Sequence, residues 1–216
     1  YPTDLASSAL FPSEKTVDLA AIAIPDIPDT NPTVFDYSYI LGHDDLKKAE
    51  IEEGTDVVAT GYLQPYAGIA KNFPVMRFGK IALLTDEHWF NTVFADKQQG
   101  YIVEIYNVGG SSGSPVVLQP SQVRVNSQNV FQQRRIPPYL VGVIKGHPND
   151  LAELKEVVNL QLKPIPDKYA VISAGVAVIE PAENLRKFLQ EIAAILETKG
   201  QPVILTPVFS DEKERN

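Results

Sequence analysis

The run Gly109-Gly110-Ser111-Ser112-Gly113-Ser114-Pro115-Val116-Val117 sets glycines on both sides of a serine, then a proline and an apolar strand. Glycine tolerates the sharp backbone turn that such spacing demands. A turn of this kind presents a hydroxyl just before the chain enters a core strand. It also lets two backbone N–H groups face the point where an oxyanion would form. A Gly/Ser-rich hairpin loop fits the same residues without any chemistry.

Outward from this run the chain reads as short β-rich stretches separated by Pro, Gly, Asn and Asp. Strands are predicted at Asp18–Ile24, Asp56–Leu63, Val75–Leu84, Tyr101–Val108, Ser114–Leu118, Tyr139–Lys145 and Tyr169–Ile179. Strands at such spacing favour an all-β sandwich or barrel over βαβ units. One segment differs. Leu185, Phe188, Leu189, Ile192, Ile195 and Leu196 recur at helical spacing, with Pro181 suited to the first turn and Gly200 to the stop. This predicts a C-terminal amphipathic helix docked on the β-structure, followed by a charged tail. Between Pro25 and Glu53 lies a long connection with room for one short helical turn near Asp44–Lys48.

Composition narrows the function. With 44% hydrophobic and 21% charged residues the 216-residue chain has ordinary globular composition. Its 27 acidic residues against 19 basic ones, a net charge of −8, argue against a general nucleic-acid binder. The absence of cysteine excludes a disulfide scaffold, a thiolate nucleophile and a cysteine-based zinc site. The longest apolar run, Tyr169 to Val178, is interrupted by Ser173 and Gly175 and falls short of a membrane span. Tyr1-Pro2-Thr3-Asp4 offers no initiator Met and no signal peptide, which points to a processed or truncated product. The compartment is left open.

A second chemical signal is Asp18, a carboxylate at the start of the otherwise apolar Leu19–Ile24. Buried there, it would need partners. Orienting a histidine is one role for it, and a plain turn before a strand is another. Asp18 precedes Ser112 by a separation close to that between Asp and Ser in the chain order His…Asp…Ser.

With these residues in place, the chain resembles the trypsin-like (chymotrypsin-fold) serine peptidases, of the disulfide-free bacterial type that includes the HtrA-like enzymes. The matching stretches are VDLAAIAI, FPVMRFGKIALL, GGSSGSPVVL, YLVGVIKGH and AGVAVIEPAENLRKFL, from about Asp18 to Leu189. The resemblance implies two packed six-stranded β-barrels with the site in the cleft between them. Residues 1–50 would be the remainder of the first barrel and the connection, and 51–180 the second barrel with the nucleophile loop. Residues 181–200 would be the C-terminal helix, and 201–216 a tail. It further implies Ser112 as nucleophile, Asp18 as the residue that orients the base, and the amides of Gly110 and Ser112 as the oxyanion hole. The specificity pocket would have Tyr106 at its base and Lys145, Gly146 and His147 in its wall. A tyrosine at the base argues against a preference for Lys or Arg. No metal or organic cofactor is required, and the partner is a peptide or protein substrate.

The sequence departs from the family at the base. Its histidines, His43, His88 and His147, all follow Asp18, whereas the family places the base before it. His43 beside Asp44 and Asp45 reads as a solvated loop residue, since one His and two adjacent carboxylates make a weak metal constellation. His88 reads as part of a polar turn. The family sets most of its first barrel before the Asp, and here only residues 1–17 precede it. The base is therefore expected from a missing N-terminal segment or a separate fragment, unless the chain is a degenerate relative. The rival class is a binding or scaffold protein on an inactive peptidase fold. A third reading, partner docking through the Leu185–Leu196 helix, requires an exposed apolar face there.

Overall fold

A computed structural model describes residues 9–23, 35–62, 73–85, 87, 89–91, 96–106, 111–125, 131–146, 149–158, 161–173, 175–200, 203 and 205. Its centre is a closed antiparallel barrel of six strands: β1 (Asp56–Tyr62), β2 (Pro74–Leu83), β5 (Tyr101–Ile105), β6 (Pro115–Leu118), β9 (Leu140–Gly146) and β12 (Val176–Pro181). The order around the barrel is β1-β2-β5-β12-β9-β6, so its first three strands run in sequence and its last three in reverse. Closure between β1 and β6, with Ala59 opposite Val116, removes the free edges that an open sheet would expose.

The strands form where the sequence alternates. Inward residues Val57, Ala59, Ile81, Val103, Ile105, Val116, Leu118, Ile144, Ala177 and Ile179 are buried and make one continuous core. Each fully buried aliphatic side chain of this kind contributes roughly 1.5–3 kcal/mol, and the small Ala59 and Ala177 leave room for the larger residues opposite.

Three two-stranded hairpins lie outside the barrel: β3 (Trp89–Asn91) with β4 (Asp96–Gln98), β7 (Ser121–Val125) with β8 (Phe131–Arg135), and β10 (Asn149–Val158) with β11 (Gln161–Ser173). The registers give the barrel two distinct rims. On one lie the end of β1, the start of β2, the end of β5, the start of β6, the end of β9 and the start of β12. The β10–β11 hairpin springs from this rim because it joins β9 to β12. The other two hairpins join strand ends at the opposite rim.

That opposite rim carries the helices. The chain passes through a short 3-10 turn, Tyr37–Tyr39, and α1 (His43–Lys48), bonded to the start of β9 through Leu41 N–H and Leu140 O at 3.1 Å. Asp45 reaches back to the Gly42 amide at 3.0 Å, which satisfies a donor at the start of α1. Helix α2 (Ala182–Thr198) follows β12 directly, with Pro181 as its N-cap. It buries Phe188 and Ala193 and packs Leu185 and Leu189 against Ile40 and Leu140. An ion pair between Arg186 and Asp45 ties it to α1, and Arg186 also lies over the Tyr37 ring at 5.5 Å.

The expected all-β barrel with a C-terminal helix is present, and the turn near Asp44–Lys48 is α1. Three expectations are corrected. Asp18–Ile24 is not a strand across its described residues. Residue Ala21 makes an antiparallel bridge to Leu10, and among the described residues no sheet lies alongside to extend it. The predicted strand Tyr169–Ile179 is two strands, β11 and β12, parted at Gly175, whose φ of 75° belongs to a turn. The predicted Tyr101–Val108 ends as a strand at Ile105. Of the α2 stripe, Phe188 is buried and Leu185 and Leu189 pack on the barrel, whereas Ile195 in the last turns is 44% exposed.

Candidate functional site

Ser112 sits in a tight turn at the first rim. Ser114 N–H donates to Ser111 O at 3.1 Å, and Gly113 takes the left-handed φ of 85° at the third position of the turn. Glycine adopts that angle without steric cost. Two more bonds fix the turn to β9: Gly113 N–H to Ile144 O at 2.8 Å, and Ile144 N–H to Ser114 O at 2.9 Å. Ser111 is buried at 2% exposure and Ser114 is buried as well, whereas Ser112 and Gly113 are exposed. The outcome is a hydroxyl held in solvent by a backbone that cannot easily shift. Among the described residues, the amide of Ser112 takes no part in the bonds that hold the turn. Gly110, the other expected oxyanion donor, lies outside the described residues.

The expected pocket residues meet the same rim. Tyr106 follows the end of β5 and stands 71% exposed, so it is an open aromatic surface. Gly146 ends β9 opposite Val178, with open space where a side chain would be. Lys145 serves another purpose. Its ammonium bonds the Gln99 carbonyl and Glu180 Oε2, the latter at 3.0 Å. Glu180 is 2% exposed and also accepts from Asn184 Nδ2 at 2.5 Å. A carboxylate this deep persists only because it is paired and hydrogen-bonded. His147 and His88 lie outside the described residues.

Asp18 comes to the outer face of the barrel at this pair. Its backbone N–H donates to Glu180 Oε2 at 3.4 Å, and its residue is exposed rather than buried. Glu180 lies one residue beyond Ile179, the partner of Tyr101, so Asp18 is held toward the rim opposite Ser112, and the structure does not bring the two together. The structure does not bring His43 to Ser112. Its Nδ1 lies 3.5 Å from the hydroxyl of Tyr101, which opens β5 at the opposite rim. At about 3.3 Å per residue, the strand's length, roughly 13 Å, separates Tyr101 from the serine rim.

Around His43, α1 and α2 enclose a polar cleft of about 480 Å³. Two of its carboxylates are paired. Asp45 pairs with Arg186, and Glu183 pairs with Lys187 at 2.9 Å and accepts from the His43 amide at 2.9 Å. Burial works against ionisation of Glu183, but the Lys187 ammonium and the His43 amide outweigh it and hold the carboxyl below its ordinary range. Among the described residues no three His, Asp or Glu side chains gather to hold a metal ion.

Sequence reasoning passed over one residue at the serine rim, Arg77. It is the buried cation of β2, on the same face as Ile81. The period-2 alternation of the strand is the signal that assigns it to the interior. No known protein family matches the chain, and no curated protein matches it.

Proposed function

We propose that the chain is the nucleophile-bearing part of a trypsin-like serine peptidase. The observation that carries this is the exposed Ser112 on a turn fastened to Ile144 by two backbone bonds, at the rim of a closed six-stranded barrel. A barrel of six antiparallel strands is the unit from which that family is built, and the second barrel is part of the proposal. The role of Asp18 as the residue that orients the base rests on the resemblance, since its amide is held by Glu180, toward the rim of Tyr101.

In this reading the Ser112 hydroxyl attacks a peptide carbonyl carbon as a histidine takes its proton. The amides of Gly110 and Ser112 stabilise the oxyanion, each such donor being worth about 3 kcal/mol. The C–N bond then breaks, and the leaving amine takes the proton from the imidazolium. Water, deprotonated by the same imidazole, hydrolyses the Ser112 ester. The reading requires a histidine at the serine rim that the described residues do not supply. The opposite-rim position of His43 rules it out for this role.

The test begins with the denatured intact mass of every polypeptide in a purified sample, followed by labelling with a fluorophosphonate probe. Stoichiometric labelling mapped to Ser112, and lost in Ser112→Ala, supports the peptidase. A sample that resists the probe while still folded sinks it and leaves an inactive binding fold on the same barrel.

A further inference from the structure

Along β2 the inward row is apolar or small except at one place: Val75, Arg77, Gly79, Ile81 and Leu83. Arg77 is 8% exposed, and its Nη1 and Nη2 are shut off from solvent with no hydrogen-bond partner among the described residues. Its head lies at the serine rim. A Cβ built on Gly61, at the end of β1, would stand 2.1 Å from Ser114 Oγ and 4.0 Å from Arg77 Nη1. The guanidinium therefore sits near the Ser114 side chain of the Ser111–Ser114 turn, whose hydroxyl takes the space that Gly61 leaves.

Buried charges are retained when something pairs with them. A guanidinium presents a rigid, planar fork whose best complement is a carboxylate accepting two parallel hydrogen bonds. We propose that the barrel end beneath the Ser112 turn is a carboxylate subsite with Arg77 as its cation. It is filled by the acidic side chain or the terminal carboxylate of a peptide lying across the serine rim. The chain's net charge of −8 repels acidic ligands in general, so their capture depends on this local cation. The guanidinium is sealed in the ligand-free chain. A carboxylate enters as the side chains over it part, and displaces no hydrogen bond that Nη1 or Nη2 makes to the described residues. As a substrate preference this rests on the peptidase reading; as a binding site it does not.

Two small probes separate the sources: N-acetyl-L-isoglutamine carries only the side-chain carboxylate, and N-acetyl-L-glutamine only the terminal one. Each is titrated by calorimetry into the intact protein as wild type, Arg77→Met, Arg77→Lys and Ser112→Ala. Binding of at least one probe to wild type and Ser112→Ala alike is expected. Arg77→Met should weaken it by about tenfold or more, and Arg77→Lys, which keeps charge but loses the fork, by less. Absence of binding to wild type, or equal binding to Arg77→Met, overturns the proposal. So does failure of both Arg77 variants to fold, since that would assign the guanidinium a structural partner. If the probes bind as expected but no peptide is cleaved, only the peptidase reading fails.

Discussion

Replacing Arg77 with methionine should make the ligand-free protein more stable. The side chain is 8% exposed, and Nη1 and Nη2 lack partners among the described residues. A buried, unsatisfied polar group costs about 1–3 kcal/mol, more when charged. Exchanging buried ionic groups for apolar residues of similar volume stabilises by about 1–4 kcal/mol. Methionine follows the path of the arginine stem and bends to fill irregular space. Allowing for some packing lost at the far end, the net gain is about 2 kcal/mol. For a chain of this size that is a rise in Tm of roughly 4–8 °C. Urea unfolding at 25 °C and scanning calorimetry both read it. Addition of the carboxylate probe should then reverse the order. At a hundred times its Kd a ligand adds about 2.7 kcal/mol to the protein that binds it, and nothing to the one that does not. Should ligand-free Arg77→Met instead lose more than about 1 kcal/mol, the guanidinium is already satisfied, and the reasoning from an unpaired cation is wrong.

Other outcomes follow from the same contacts. Glu180→Leu alone strands the Lys145 ammonium at 13% side-chain exposure and should cost about 3–5 kcal/mol in urea unfolding, while Lys145→Met with Glu180→Leu should recover most of it. Gly61→Ala would set a methyl 2.1 Å from Ser114 Oγ, so it should displace the serine turn and reduce fluorophosphonate labelling of Ser112, whereas Ser112→Ala should change stability by no more than about 0.5 kcal/mol. Because Glu183 is held below its ordinary value of 4.5, its contribution is complete above that pH and is lost as pH falls through the lowered value; urea midpoints measured from pH 7 to 3 should fall in that acid range, and less steeply in Glu183→Gln. Midpoints that decline equally in both proteins would show that the Lys187 and His43 contacts carry no such linkage.

The barrel was legible in the sequence wherever burial on one face imposed a pattern. Val57, Ala59, Ile81, Val103, Val116 and Ile144 stand on strands anticipated from β-branched runs and turn residues, because the core demands an apolar residue at every second position. Helix α2 was legible for the same reason at a different period. The β10–β11 hairpin was not. Among the described residues its strands pair only with each other, so no barrel face disciplines the sequence, and Asn149–Val158 and Gln161–Asp167 are rich in Lys, Glu, Asp and Pro. An apolar run from Tyr169 through Ile179 then hid the break at Gly175. Asp18 shows the converse error. Leu19–Ile24 has the composition of a strand, yet a strand is made by its neighbour, and among the described residues Leu10 alone bridges it, at Ala21.

Composition also drew attention to the serine turn and away from Arg77, although both lie at one rim. Ser112 announces itself through its glycines, which are local in sequence. Arg77 is visible only by counting: it lies four residues from Ile81, and an even step along a strand returns to the same face. A charge that shares a face with a core isoleucine must either emerge at the strand's end or find a partner inside. Pro74 begins β2 only three residues earlier, so the side chain runs toward the rim, but the structure buries it before it reaches water. Parity thus identifies the cation, closure of the barrel hides it, and the bare Cα of Gly61 lets the Ser114 hydroxyl of the serine turn pack close to it. Those three conditions together, rather than the charge alone, distinguish a binding group from a surface arginine.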